Sequence, residues 1–200
     1  MHTKLYIMKT LFINPISLDI SLAILDKWVF QKGFTIPKGD DFSSFPDMLV
    51  DIVTRENIWE IWCICGPWAF TRMRIVTLAC NTLRLTRWIS LKWCHFFDII
   101  DNDYPILRAN DKEYIIRGED GDPILIEKDL LPSATYVGYG EENDFTDTKI
   151  LIQYTHEYLS IAEKFEHIPE IDSLSPIYLK NPHITWSKKN TSPSSEKTRK

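Results

Sequence analysis

The sequence predicts an α/β protein with two lobes. Its 200 residues are 44% hydrophobic, which is enough apolar material for one domain or two small lobes. Short strand-like runs occupy the first forty residues, and near Phe45 the hydrophobic period changes from that of a strand to that of a helix. The second half is more polar and returns to short strand-like runs separated by glycine turns.

Three strands are predicted at the start of the chain. Residues 11–13 form a short apolar run that Asn14 and Pro15 close. Residues 19–24 alternate with period two, which is typical of a half-buried strand, and residues 28–30 follow after a short turn. Consecutive strands with such short connections favour an antiparallel meander.

Two helices with a strand between them come next. Residues 45–53 place apolar side chains along one helical face, and Ser44 is the predicted N-cap. Residues 58–65 are mostly apolar, as expected of a strand that is buried on both faces. Residues 71–85 are apolar around most of a helical circumference, so this helix needs cover on more than one side. Either the first helix or a partner protein could supply the second cover.

The second half predicts a hairpin at residues 113–127, a strand at 136–140 and a helix at 150–165. We expect His156 to face solvent on that helix. A disordered basic tail is expected at 187–200, where Ser, Thr, Lys and Pro dominate. We therefore place an N-terminal lobe at 1–97 and a smaller C-terminal lobe at 98–186. This layout is that of a two-lobed actin-like fold with a reduced second lobe.

Composition argues against several functions. A net charge of −5 is unlike that of a general nucleic-acid binder. The four cysteines contain no Cys-x-x-Cys pair and the histidines no His-x-x-x-His pair, so we expect no metal site. The nucleophile elbow of serine hydrolases is absent from the sequence. The apolar stretch at residues 11–25 is too short and too polar to span a membrane, and we expect a cytoplasmic protein.

A glycine turn joins the strand at 58–65 to the helix that follows it. Residues 66–75 read Gly-Pro-Trp-Ala-Phe-Thr-Arg-Met-Arg-Ile. Turns of this kind often bind phosphate, because free backbone N–H groups point outward at a helix N-terminus. Here Pro67 removes a donor, and Trp68 puts bulk where a backbone would approach a ligand. The framework of a phosphate-binding turn is retained while its chemistry is eroded.

The same residues resemble the Gly-Pro-Gly-Ser-Phe-Thr-Gly-hydrophobic-Arg-Ile signature of the TsaB (YeaZ) family. TsaB is the scaffold subunit of the bacterial machinery that makes threonylcarbamoyladenosine in tRNA. Further segments resemble the family in its own order, so that the resemblance spans residues 8–186. These segments are the opening strand at 8–17, the first helix at 45–49, a second-lobe strand at 109–114 and the closing Pro-Ile-Tyr-Leu-Lys at 176–180.

The resemblance implies an actin-like (ASKHA, ribonuclease H-like) fold and a non-catalytic subunit. In the family, two helices pack against the equivalent pair of a TsaD-like catalytic subunit, which works with a TsaE-like ATPase. The implied interface residues are Phe45, Met48, Leu49, Ile52, Thr71, Arg74, Ile75, Leu78, Ala79 and Thr82. We expect Ala79→Arg or Leu78→Asp to abolish partner binding and to leave the fold intact.

A degenerate nucleotide site is also implied, formed by Asn14, Ser17, Gly66, Gly138 and Gly140. The chain departs from the family at four positions, where it has Asn14, Trp68, Ala69 and Arg72. We therefore expect no cofactor on this chain alone, ATP only in the assembled complex, and tRNA only through that complex. Two alternatives stay open: a small ATP-dependent phosphotransferase of the same superfamily, and a homodimer that uses the same helices when unpartnered.

Overall fold

Strand β1 lies at the centre of a mixed sheet, with neighbours that run in both directions. The computed structural model describes residues 9–17, 19–37, 42–66 and 70–179. In the first sheet the strand order is β3-β2-β1-β4-β5. The meander β1–β2–β3 is antiparallel, as predicted, whereas β4 and β5 run parallel to β1. The strands are β1 (Lys9–Asn14), β2 (Ile20–Asp26), β3 (Val29–Ile36), β4 (Ile58–Ile64) and β5 (Ser90–Cys94).

Helices α1 (Phe45–Arg55) and α2 (Phe70–Arg87) confirm the two predicted helices and pack against each other. A 3₁₀ turn (Phe42–Ser44) leads into α1, so Ser44 takes the predicted N-cap position, although its side chain does not cap the helix.

Both helices cover one face of the first sheet. Cys63 and Cys65 point to that face, where hydrogen bonding with the thiols of Cys65 and Cys80 raises the pKa of Cys63.

The opposite face of the first sheet is covered by helix α4 (Tyr158–Glu166). Phe165 stacks on Trp62 with ring centroids 5.1 Å apart and meets Phe12 edge-on at 6.2 Å. The prediction that β2 is half-buried is wrong, because both faces of this sheet are covered. Its residues from Leu22 to Leu25 are all buried.

The second sheet has the order β10-β9-β6-β7-β8. Its hairpin β7–β8 is the predicted one, and β9 matches the predicted strand. Helix α3 and strands β5 and β6 are not predicted from the sequence. The elements of this half are α3 (Phe96–Ile99), β6 (Pro105–Arg108), β7 (Glu113–Arg117), β8 (Pro123–Glu127), β9 (Thr135–Tyr139) and β10 (Ile150–Gln153), with 3₁₀ turns at Lys128–Leu130 and Glu142–Asp144.

The helix predicted over residues 150–165 is wrong in its first half. Ile150–Gln153 forms β10, which pairs in parallel with β9, and α4 begins only at Tyr158. The run Ile-Leu-Ile is apolar and two of its three residues are β-branched, and a run this short fits either period. Pairing with β9 then decides the outcome.

After α4, residues 168–179 return to the first sheet. Ile171 N–H donates to the Leu91 carbonyl at 2.9 Å, so this segment lies along the β5 edge. The Asn81 side chain on α2 donates to the Leu174 carbonyl at 3.0 Å and accepts from Leu174 N–H at 2.7 Å. Although the lobe boundary at 97/98 stays a prediction, α4 and the segment after it pack on the first sheet.

No helix within the described ranges is both long and apolar enough to cross a lipid bilayer. The predicted tail at 187–200 lies outside those ranges.

We expect Asn81→Ala to lower the free energy of unfolding by about 2 kcal/mol, because it leaves the buried backbone of Leu174 without two hydrogen-bond partners. Urea unfolding followed by circular dichroism measures the change. Thr86→Ala is the matched control on the same helix, since the exposed Thr86 hydroxyl bonds only within α2, and it should shift stability by less than about 0.5 kcal/mol. An equal effect of the two substitutions would contradict the bridging role of Asn81.

Candidate functional site

An apolar groove of about 560 Å³ runs between α1 and α2. Its most exposed apolar side chains are Leu78, with 66% of its surface accessible, and Val50, with 40%. The groove is lined by Ser43, Pro46 and Val50 from the α1 side and by Ile75, Leu78, Ala79, Thr82, Leu83, Thr86 and Arg87 from α2.

The groove follows from the way α2 divides its apolar side chains. Met73, Val76 and Cys80 lie on its inner face and are fully buried, as their spacing of three and four residues requires. Leu78 lies on the outer side and stays exposed beside α1. The sequence allows either α1 or a partner protein to provide the second cover of α2. In the structure α1 packs on α2 but covers it only in part.

The predicted interface residues do not share one surface. Phe45, Leu49 and Ile52 are placed at the interface by the prediction, but the structure buries them in the core of this chain. The strongest apolar stripe of α1 faces its own sheet, and the groove lies beside that stripe. Ala79 is only 7% exposed, so its side chain forms part of the groove floor.

The remaining predicted interface residues lie nearer to the surface. Thr71, Arg74 and Thr82 are exposed, Met48 and Ile75 are half-buried, and Leu78 is the most exposed apolar member of the set. Sequence reasoning missed Pro46 and Val50. The available signal is that Val50 is apolar although it lies off the buried stripe of α1.

A second candidate site lies at the carboxyl ends of the parallel strands β1, β4 and β5, where open α/β sheets usually bind ligands. Asn14 ends β1 there and is fully buried. Its amide nitrogen contacts the Tyr139 hydroxyl at 3.0 Å and His156 Nε2 at 2.8 Å. Its Oδ1 accepts a hydrogen bond from Ile16 N–H at 3.0 Å.

His156 is one of the two residues of this cluster that sequence reasoning missed, and the expectation that it faces solvent is wrong. It precedes α4, and its imidazole meets the rings of Phe12 at 5.4 Å and Tyr154 at 5.5 Å. Burial lowers the pKa of His156 to about 4, so the ring is neutral at pH 7. Burial likewise raises the pKa of Tyr139, the other missed residue, well above its ordinary value.

Aromatic side chains fill the space around this cluster. Phe96 stacks on Tyr139 with ring centroids 5.2 Å apart, and Tyr154 meets both rings edge-on at 5.6 and 6.1 Å. The carboxyl end of β1 is therefore occupied by side chains from the second sheet and from the segment that precedes α4.

The other predicted nucleotide-site residues serve local structure in the chain as it stands. The Ser17 hydroxyl donates to the Asp19 carbonyl, and the Ser17 carbonyl accepts from Arg72 at 3.3 Å. Gly66 has φ 111°, which suits glycine, and its carbonyl accepts from Phe96 N–H at 3.1 Å. Residues 67–69, which include the departures Trp68 and Ala69, lie outside the described ranges.

Gly138 and Gly140 flank Tyr139 and differ from each other. At Gly138 an added Cβ would lie 1.7 Å from the Ile106 carbonyl oxygen, so the close approach of β9 to β6 requires glycine. At Gly140 an added Cβ would meet the flexible end of Leu151 at 3.2 Å. Strand packing therefore accounts for Gly138 without a ligand.

Within the part of the chain that the structure describes, no three His, Cys, Asp or Glu side chains are grouped so that they could hold a metal ion.

No protein-family model matches the chain, and no curated protein matches it. Solved structures do resemble it, among them two YeaZ-like proteins. YeaZ from Pseudomonas aeruginosa aligns with a TM-score of 0.59 at 15% identity, over 86% of this chain and 100% of its own. A protein described as uncharacterized, with similarity to peptidase YeaZ from Pseudomonas aeruginosa, aligns with the same TM-score and coverage at 13% identity. The likeness confirms the predicted fold, a two-lobed actin-like α/β fold with a reduced second lobe.

We expect Gly138→Ala to lower the free energy of unfolding by about 3 kcal/mol, because the new methyl group collides with the backbone of β6. Gly140→Ala is the matched control and should cost less than about 1 kcal/mol, since only side chains must adjust. Thermal unfolding of both variants measures the difference. Two equally stable variants would contradict a structural role for Gly138.

Proposed function

We propose that this chain is a non-catalytic scaffold subunit that binds a TsaD-like catalytic subunit during threonylcarbamoyladenosine modification of tRNA. The groove between α1 and α2 carries the proposal. Leu78 exposes two thirds of its surface there, and Val50 on α1 adds a second exposed apolar side chain to the same groove. The YeaZ-like fold supports the same assignment.

The groove has the dimensions and chemistry that suit a pair of partner helices. Helix α2 has 18 residues, and at 1.5 Å per residue it is about 27 Å long. Two adjacent helices of this size can offer the roughly 800 Å² per partner that a standard interface buries. The floor is apolar, whereas Thr82, Thr86 and Arg87 supply a polar rim. Packing of helices into such a groove would complete a four-helix bundle.

In this proposal the chemistry belongs to the partner. Asn14 stands where the family has aspartate, and its hydrogen bonds go to this chain's own Ile16, Tyr139 and His156. We therefore propose that the chain holds no cofactor by itself. ATP would bind only in the assembled complex, and a TsaE-like ATPase and tRNA would join through that complex, in the cytoplasm.

We expect Leu78→Asp to weaken partner binding on the order of 100-fold, because it removes buried apolar contact and desolvates a carboxylate. The variant is coexpressed with the TsaD-like protein of the same genome, copurified and titrated by calorimetry. Its fold should be intact, since Leu78 touches solvent on its outer side.

Leu85→Asp is the matched control. Leu85 is 78% exposed on the same helix and does not line the groove, so the same substitution there should leave affinity unchanged. Wild-type copurification of Leu78→Asp would refute the groove as the interface. Ala79→Arg is no longer a clean test, because Ala79 is buried and a long cation there would disturb the packing of α1 on α2.

Two further measurements separate the alternatives. The mass of the purified chain, with and without Leu78→Asp, shows whether the groove also serves a homodimer. The ATP turnover of the chain alone tests the phosphotransferase alternative. If the chain turned over ATP and Thr71→Ala abolished that turnover, the enzyme would be favoured over the scaffold. Thr71 is the residue to change because it lies exposed in the first turn of α2.

A further inference from the structure

We propose that Asn14, Tyr139 and His156 form an acid-sensitive latch that holds the second sheet and the segment before α4 against the carboxyl end of β1. Asn14 belongs to the first sheet and Tyr139 to the second, while His156 lies between β10 and α4. A single buried amide thus joins three parts of the chain that are distant in sequence.

The hydrogen bonds fix which atoms donate. Ile16 N–H donates to Asn14 Oδ1, which orients the amide so that its nitrogen faces Tyr139 and His156. An amide nitrogen has no acceptor capacity, so the 2.8 Å contact requires His156 Nε2 to accept. The latch is therefore made only by neutral imidazole with its proton on Nδ1.

Protonation of His156 would break this arrangement. It would place an N–H group against the Asn14 N–H₂ group and a positive charge among aromatic rings. Three tyrosines face the imidazole: the Tyr139 hydroxyl on β9 lies 3.2 Å from Nε2, and the rings of Tyr154 on its own segment and Tyr158 on α4 pack against it. Burial raises the pKa of all three, so they stay neutral below pH 7.

The direction of the pH effect follows from the two states of His156. Burial lowers its pKa to about 4 in the closed latch, whereas an exposed imidazole has 6.5. Between these values the open form binds the extra proton, so the latch is fully closed above pH 6.5 and loosens as the pH falls toward 4. The opening equilibrium should rise about tenfold per pH unit, or roughly 300-fold over this window.

Two variants test the latch independently. His156→Gln keeps an acceptor for Asn14 but does not titrate. Asn14→Asp keeps the acceptor for Ile16 N–H and replaces the donor with a carboxylate, which should favour imidazolium and raise the pKa of His156 above 6.5. An NMR titration of the imidazole signals, with His156 assigned from the glutamine variant, measures this pKa. A wild-type value near 6.5, or no change in Asn14→Asp, would overturn the proposal.

Opening itself is followed by hydrogen exchange of the Ile16 amide, which bonds directly to Asn14. In the wild type its protection, corrected for intrinsic exchange, should fall about tenfold per unit as the pH drops below 6.5. In His156→Gln that dependence should disappear. Glu56 and Asp144, whose pKa values are lowered by Lys9 and Lys128 beside them, are unchanged in this control. The same acid dependence in both proteins would assign the loosening to such carboxylates and refute the latch.

Discussion

The first sheet needs an apolar layer on each face, and most of the structure depends on how the chain supplies these two layers. Helices α1 and α2 come directly from the connections around β4 and cover one face. The other face, which carries Phe12 and Trp62, is covered by α4, which follows the last strand of the second sheet in the chain. The chain must therefore cross the end of β1 before it returns. That crossing brings His156 onto Asn14.

The same demand explains why α2 retains an exposed apolar side. Its inner face completes the core through Met73, Val76 and Cys80, and α1 shelters only one flank. Segment 168–179 holds the opposite flank through Asn81 and Arg84, which pairs with Glu170 at 2.6 Å. With α2 held on three sides, the remaining surface around Leu78 is open. A preformed surface of this kind suits association, because little freedom is lost on binding.

The sequence predicts those elements in which the hydrophobic pattern repeats over enough residues to be identified. The meander, α1, β4 and α2 each have such a pattern, and the glycine-containing loop marks the β7–β8 hairpin although its strands have five residues each. Strands β5, β6 and β10 are equally short and have no such loop beside them that identifies a hairpin. The latch had no local signal, because 142 positions separate Asn14 from His156. The predicted interface lies on α1 and α2, the two helices that form the groove, but two of its residues, Phe45 and Leu49, are buried in the core of this chain. Burial in the core and exposure to a partner favour the same residue types, and only the tertiary packing distinguishes them.

The two sites are joined by α2. Near the start of α2, the Arg72 guanidinium donates to the Ser17 carbonyl at 3.3 Å. Ser17 follows Asn14 by three residues. One turn later Ile75 already lines the groove. A ligand could reach the carboxyl end of β1 only after the aromatic cluster separated, since Asn14 has its polar atoms engaged by its own chain. Access to that end of the sheet therefore depends on the latch, whereas the groove between α1 and α2 is open in the structure as it stands.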